Sequence, residues 1–302
     1  MRILLFGGNG QVGTECRRSL APLGELVITT RDGQLQDGAA CETADFDRPD
    51  TLDGLIARIA PDVVVNAAAY TAVDRAESEA DAAFRANAEA PRRIADACAQ
   101  RDALLLHYST DYVFDGCGKR PYREDDPTAP LGVYGSSKLA GEQAVRDSGA
   151  RHLIFRTAWV YATHGKNFLR TMLRLAAERD ELRVVADQVG SPTSAALIAD
   201  ISARALGQSF EQSGTWHLTA AGATSWCGFA EAIMDGAHAR GLIARRPRIV
   251  PIKTADYPTQ AARPAYSVLD TTKLQRDFNL VPLAWQDGLG EIMDAMVHEP
   301  LR

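Results

Sequence analysis

The sequence predicts an α/β fold, a doubly wound parallel sheet with a smaller α/β substrate domain interleaved, and three observations point to it. A short apolar run, Arg2 to Phe6, breaks at once into Gly7-Gly8-Asn9-Gly10-Gln11-Val12-Gly13 and then into a helical pattern through about Leu20. Strand-like runs and helical stretches then alternate up to about residue 160, the order that builds parallel sheets. Runs such as Asp62 to Ala69 are mostly apolar rather than alternating, as expected of strands buried on both faces.

With 302 residues and 46% hydrophobic content, the chain can bury one large core or two modest ones. The expected division is a dinucleotide-binding domain over residues 1–160, to which segments around 187–215 return, and a mainly substrate-binding domain over 161–302. A net charge of -6 lacks the basic footprint of a nucleic-acid partner. The apolar run Ile3 to Phe6 is too short for a signal peptide, and no run approaches the roughly 18 apolar residues of a membrane span, so a cytoplasmic location without a membrane partner is expected. The five cysteines, Cys16, Cys41, Cys98, Cys117 and Cys227, are scattered and form no C-x-x-C, which argues for reduced packing residues rather than a disulfide framework or a zinc site.

Taken in order, the first element is the strand ending at Phe6. Gly7, Gly10 and Gly13 space as G-x-x-G-x-x-G, which suits a tight turn, close approach to a pyrophosphate and close helix-sheet packing, with the phosphates at the helix N-terminus. Strand, glycine turn and helix together make a Rossmann-like start, with Gln11 and Val12 in the same turn. Leu26 to Thr30 reads as the second strand, whose end selects the cofactor. Arg31 there favours the 2′-phosphate of NADPH, Asp32 keeps NADH open, and Arg31 also reads as an ordinary loop arginine. Ala44 to Asp47 ends a brief third strand before a helix through about Ile59. Asp45 and Phe46 are cofactor candidates at the adenine, and Asp47 suits a helix N-cap. The fourth strand ends in Asn66-Ala67-Ala68-Ala69, small residues that let backbone lie against a dinucleotide or simply pack the core.

Glu77 to Gln100 reads as an alanine-rich helix interrupted only at Pro91, with Asn87 either bridging to the active-site backbone or solvated. Leu104 to Tyr108 is the fifth strand. Ser109, Thr110 and Asp111 fall at its carboxyl end, where open α/β sheets place ligands, and Tyr108 is a cofactor candidate. The proline-broken stretch Asp115 to Pro130 is a loop expected to fold over the substrate. Tyr134 and Lys138 then lie one turn apart on one helix face. A free phenol has a pKa of about 10, which a neighbouring cation lowers, so Tyr134 is the candidate general acid and Lys138 its tuner, both also against the cofactor. Thr110 would polarise the same carbonyl oxygen. The Tyr-x-x-x-Lys spacing alone also describes an interfacial tyrosine and a solvated lysine; its place after the glycine turn and beside Thr110 gives it weight. The sixth strand, His152 to Val160, puts Trp159 at a carboxyl end, as a wall of the substrate pocket or as a core side chain.

Beyond it the alternation weakens: helices over Asn167 to Glu178, Ser194 to Leu206 and Trp226 to Arg240, strands over Leu182 to Ala186, Thr215 to Thr219 and Arg248 to Lys253, an irregular loop from Tyr257-Pro258 to Pro264, and two helices near Thr271 and Gln286.

With these residues assembled, nearly the whole chain resembles the extended short-chain dehydrogenase/reductases, and more closely the dTDP-4-dehydrorhamnose reductases. The resemblance is carried by Leu4-Leu5-Phe6-Gly7 with Gly10-Gln11-Val12-Gly13, by Asn66-Ala67-Ala68-Ala69-Tyr70-Thr71-Ala72-Val73-Asp74, by Tyr108 to Gly116, by Tyr134 to Glu142, by Arg156 to Tyr161, by Asp187 to Thr193 and by Arg263-Pro264. It implies a Thr110, Tyr134, Lys138 triad, with NAD(P)H reducing the 4-keto group of a dTDP-6-deoxy-hexulose to dTDP-L-rhamnose and Thr110, Asp111 and Trp159 holding the sugar. Thr30-Arg31, where NADH-tolerant relatives look acidic, strengthens the lean to NADPH. Some relatives are thought to hold magnesium at a dimer interface through two glutamates. Glu15 fits the first, but Ser194-Ala195-Ala196-Leu197 offers no second, so no metal and no metal-bridged dimer are expected, and a homodimer of another kind stays open. The dehydratases of this fold carry Asp-Glu where Asp111 is followed by Tyr112. A nucleotide-sugar 4-epimerase and a non-catalytic dinucleotide-binding regulatory subunit, like that of methionine adenosyltransferase, remain the alternative functions.

Overall fold

The computed structural model describes residues 1–208 and 213–298. The chain opens with β1 (Arg2–Phe6), α1 (Gln11–Leu20), β2 (Glu25–Thr30), β3 (Glu42–Thr43), α2 (Leu52–Ile59), β4 (Val63–Asn66), α3 (Val73–Ala76), α4 (Ala80–Phe84) and α5 (Ala90–Ala99). It continues through β5 (Leu104–Thr110), α6 (Val133–Asp147), β6 (His152–Thr157), β7 (Val160–Tyr161), α7 (Phe168–Glu178), β8 (Glu181–Val185), β9 (Val189–Gly190), β10 (Thr193–Ser194) and α8 (Ala195–Leu206). The remaining elements are β11 (Gly214–His217), β12 (Thr224–Ser225), α9 (Trp226–Ala239), β13 (Arg248–Ile252), α10 (Thr272–Phe278) and α11 (Trp285–His298).

Seven strands form one parallel sheet in the order β11-β6-β5-β4-β1-β2-β3. Because side chains alternate across a strand, consecutive residues serve opposite layers. Ile3 and Leu5, Val63 and Val65, and Leu106 and Tyr108 pack on one face with Cys16 and Leu20 of α1, Ile198 of α8 and Phe278 of α10. Leu4 and Phe6, Val64 and Leu105 pack on the other with Leu52 of α2, Ile94 of α5 and Val145 of α6. That two-sided burial is why the strand sequences are continuously apolar. The strand order reverses between β1 and β4, and a crevice opens there at the carboxyl ends of the strands.

A second hydrophobic cluster gathers α7, α9 and α11 over the parallel pair β8–β13, around Phe229, Met234, Leu173 and Trp285. β7 pairs with β10, and β9 with β12, in two-residue ladders between the two clusters. Local caps delimit these helices: Asn167, Ser194 and Ser225 accept from the backbone N–H of Arg170, Leu197 and Gly228.

Three expectations change. The helical stretch before β5 is interrupted not at Pro91 but over Arg85–Glu89, a π turn. Pro91 has no N–H to give the Asn87 carbonyl, and the chain loosens there, with the Ala90 N–H reaching back to Arg85. Asp47 caps no helix; its own N–H turns back to Asp45 Oδ1 at 3.1 Å, and the helix is entered through a 3₁₀ turn at Pro49–Thr51. The strand after β5 stops at Thr157, and Val160–Tyr161 leaves the main sheet to pair with β10.

Candidate active site

The crevice is shaped first by glycine. Gly7 has φ +81°, and a Cβ there would lie 2.8 Å from Ala68 N; a Cβ on Gly13 would lie 2.0 Å from the Gly7 carbonyl. The turn can therefore press against the chain leaving β4 and against α1 only without side chains. Gly10 opens α1 with no side-chain cap, so the first-turn N–H groups of α1 have no side-chain acceptor, the arrangement that receives an anion. Asn66 steers the opposite wall: its Oδ1 accepts from Ala68 N at 3.2 Å and its Nδ2 meets His107 Nδ1 at 3.1 Å.

Of the cofactor residues expected from sequence, Gly7, Gly10, Gln11, Val12, Arg31, Phe46, Ala67, Ala68, Ala69, Tyr108, Tyr134 and Lys138 line this cleft. Gly13 lies behind it, packed on Gly7, and the Asp45 carboxylate stands 3.6 Å from the Arg31 guanidinium. Tyr108 turns its phenol away, donating to Ser202 Oγ at 2.8 Å, so what it offers the site is its carbonyl. Asn87, buried, donates to the Tyr70 carbonyl at 3.0 Å and to Ser137 Oγ at 3.0 Å, and accepts from Tyr70 N at 2.9 Å, so it ties the wall after β4 to α6.

At the inner end of the cleft, Lys138 is buried and its Nζ donates to the Tyr108 carbonyl at 2.6 Å. Burial lowers its ammonium to about 8, with Glu142 pulling the other way. Tyr134 stands on the same face of α6, its ring edge-on to Tyr112 with centroids 5.5 Å apart. Its phenol is not lowered by Lys138, as the spacing suggested. The walls of the cleft desolvate it and push it above its ordinary value, against a hydrogen bond with Thr110. The phenol therefore keeps its proton across the neutral range, the form a proton donor needs.

Thr110, at the end of β5, donates to Asp111 Oδ1 at 3.0 Å and accepts from Tyr112 N at 3.2 Å. Asp111 is buried, its Oδ2 has no hydrogen-bond partner, and burial pushes its carboxyl up to about 6. Trp159 has φ +49°, a strained conformation for an aromatic residue, and its indole stacks on Trp226 at 3.5 Å and 2°. A Cβ on Gly190 would come within 2.5 Å of that ring, so glycine makes the room. Trp159 is half-buried and stands outside the wall of the cofactor cleft, at the seam with the second cluster.

The stretch 115–130 does not line the cofactor cleft. Tyr122 exchanges backbone hydrogen bonds with Val268 and Asp270, at 2.8 and 2.7 Å, and residues 123–128 wall a separate charged cleft with Arg146, Lys273 and Arg276. A different segment, Gly165 and Lys166, reaches over the glycine turn from the far side, moored by Asn167 Nδ2 on Gln11 Oε1 at 2.8 Å. Sequence reading missed it because a cation in a loop carries no pattern of its own. Arg263 was likewise unassigned; it spans Asp74 at 2.7 Å and the Tyr112 hydroxyl at 3.2 Å. Glu15 faces His164 at 3.3 Å and Arg18 at 3.8 Å. Among the described residues, no group of three or more His, Cys, Asp or Glu could hold a metal ion, and no helix is long and apolar enough to cross a membrane.

A family model described as the RmlD substrate binding domain matches residues 1–298. The chain is 50% identical to a dTDP-4-dehydrorhamnose reductase of Burkholderia thailandensis, covering 96% of this chain and 97% of that one, and 45% identical to one of Salmonella typhimurium, covering 98% of each. Among solved structures it is similar to the dTDP-4-dehydrorhamnose reductase of Clostridium acetobutylicum (TM-score 0.88, 35% identity, 98% of this chain and 99% of that chain). It is also similar to that of Bacillus anthracis in complex with NADP (TM-score 0.88, 33% identity, 97% and 99%). The chain belongs to the family of the RmlD substrate binding domain, that of the dTDP-4-dehydrorhamnose reductases.

Proposed function

We propose that this chain reduces the 4-keto group of dTDP-4-dehydrorhamnose to give dTDP-L-rhamnose, a precursor of cell-surface polysaccharide, with NADPH as reductant and Tyr134 as proton donor. The observation that carries the reading is that Tyr134 and Lys138 line the inner end of a glycine-floored cleft, with the Tyr134 phenol bonded to Thr110 behind it and kept protonated. The cleft fits a dinucleotide: the Cβ-free floor at Gly7 and the uncapped start of α1 provide a flat, anion-accepting surface.

NADPH, when bound, supplies the hydride to C4. Tyr134 gives its proton to O4 as the carbonyl becomes an alcohol, and the Thr110 hydroxyl holds that oxygen in line. Lys138, one turn along the same helix face and bonded to the Tyr108 carbonyl, presents its ammonium to the cofactor. The partnerless Asp111 Oδ2 accepts from a sugar hydroxyl, and Trp159 with Trp226 forms an apolar wall for the sugar. We assign the dinucleotide to residues 1–160 with the segments around 187–215, since α8 packs on the same face of the sheet as α1, and the sugar mainly to the rest.

For the cofactor, Arg31 is the group for a 2′-phosphate. It leans on Asp45 and Asp47 at 3.6 and 3.8 Å with its side chain 73% exposed, and exposed pairs of this kind are worth about 0–1 kcal/mol, so it turns to a phosphate at little cost. Asp32, the group for a free ribose, is engaged by Thr30 Oγ1 at 3.0 Å and Gln34 N at 3.3 Å. The test is to mix the purified chain with NADPH and dTDP-4-dehydrorhamnose and follow the reduced nicotinamide. Oxidation that needs the sugar is expected, and none with substrate present would sink the reading.

A further inference from the structure

Glu142 is a buried acid that the mechanism above leaves unused. It lies one turn beyond Lys138 on the same face of α6 and is fully buried. Its oxygens are saturated: Ser109 Oγ donates to Oε1 at 2.5 Å, Arg156 Nε to Oε1 and Nη2 to Oε2 at 2.8 Å each, and Arg146 Nη1 to Oε2 at 3.1 Å. Lys138, in contrast, has no carboxylate within salt-bridge distance among the described residues, and its ammonium is bonded to the Tyr108 carbonyl. Tyr108 and Ser109 are consecutive in β5. α6 therefore grips the strand twice, through Lys138 on one residue and Glu142 on the next, and Thr110 follows directly.

The groups facing Lys138 leave it one anionic support. On its own helix stand Tyr134 and Glu142, with Arg146 a turn further. β5 presents His107, which burial keeps neutral, and the Tyr108 carbonyl, and Asp111 lies beyond the strand end against Tyr134. β6 presents Arg156, a cation. Burial drives Lys138 towards the neutral amine, and Glu142 is the group that opposes this.

We propose that Glu142 is a positioning residue of this site: its carboxylate keeps Lys138 an ammonium within the buried wall of the cleft and, through Ser109, fixes Thr110 against Tyr134. The inference rests on the reductase reading. Its test compares Glu142→Gln, Glu142→Asp and the double variant Glu142→Gln/Arg156→Met in NADPH oxidation across pH, with NADPH binding followed by fluorescence over the same range and folding checked by circular dichroism. For Glu142→Gln the alkaline limb should move down by about one pH unit, with kcat about fivefold lower at pH 8 and the KM for the sugar within a few-fold. Glu142→Asp, which keeps the charge, should retain the limb. The double variant, which removes the buried cation together with its partner, should not restore it. An unmoved limb in Glu142→Gln, or a double variant with wild-type limb and kcat, overturns the proposal, since Glu142 would then only neutralise Arg156. If Glu142→Gln does not fold, the double variant decides alone: a limb moved down supports the proposal and a wild-type limb overturns it. A wild-type chain that binds NADPH without oxidising it refutes the reductase reading instead; the same displacement is then read from the pH dependence of binding, and its absence there overturns the positioning role.

Discussion

At one end of the cleft, Lys138 is buried against the Tyr108 carbonyl on the helix face it shares with Tyr134, whose phenol meets Thr110; at the other, Arg31 stands with its side chain 73% exposed between Asp45 and Asp47. Both ends carry charge, but in different surroundings. Where water is excluded, a charge interacts strongly with each neighbour, and the cost of a missing partner is large. Where water has access, the same pairs are screened and exchange freely. The inner end is therefore suited to chemistry that depends on defined protonation states, and the outer end to recognition that can be adjusted without disturbing the fold.

The largest effect should follow from breaking the inner end. Tyr134→Phe removes the proton and leaves the ring against Tyr112, so kcat is expected to fall about 10²- to 10⁴-fold while the NADPH dissociation constant stays within a few-fold. Turnover near wild type would remove Tyr134 from the donor role. Next comes the support behind that end. Asn87→Ala leaves the Tyr70 N–H and carbonyl without their partner, and denaturant unfolding should show about 1–3 kcal/mol lost. A loss near zero would mean that water replaces the amide.

The pH profile sharpens the contrast further. Asp111 is raised to about 6, so its carboxylate is ionised above that pH and lost below it; Lys138 is lowered to about 8, so its ammonium is present below that pH and lost above it. A bell in kcat/KM between those limits is expected, falling about tenfold per pH unit outside them. Asp111→Asn should abolish the acid limb, and a limb that persists belongs to another group. The smallest effect belongs to the exposed end: Arg31→Ala should weaken NADPH a few-fold and NADH less, with the difference shrinking as salt rises. Equal losses for both cofactors would end its phosphate role.

The same division explains what could be read from the chain beforehand. Strands β1, β4 and β5 begin or end within a few residues of their expected places because two-sided burial writes them as apolar runs, and the glycine turn was legible because each glycine answers a steric demand within a few residues. The Tyr134–Lys138 face followed from helical spacing. What stayed hidden depends on distant partners. Lys138 bonds to a carbonyl thirty residues earlier, and Arg263 to an acid 189 residues away. The positive φ of Trp159 goes with a stack on Trp226, sixty-seven residues on, and with the room left by Gly190, which no local pattern announces. The expected lowering of the Tyr134 phenol failed for the same reason: spacing places a cation nearby but does not reveal how deeply the phenol is buried.

The central claim is a hydride delivered to C4 of the sugar with Tyr134 supplying the proton. Incubating the chain with NADPH deuterated on the transferring face of the nicotinamide and dTDP-4-dehydrorhamnose, then analysing the product by mass spectrometry and NMR, tests it most directly. One deuterium at C4 of the reduced sugar, formed in step with cofactor oxidation, is the predicted result. A product without that label, or a sugar altered at another carbon with the cofactor unspent, would contradict it.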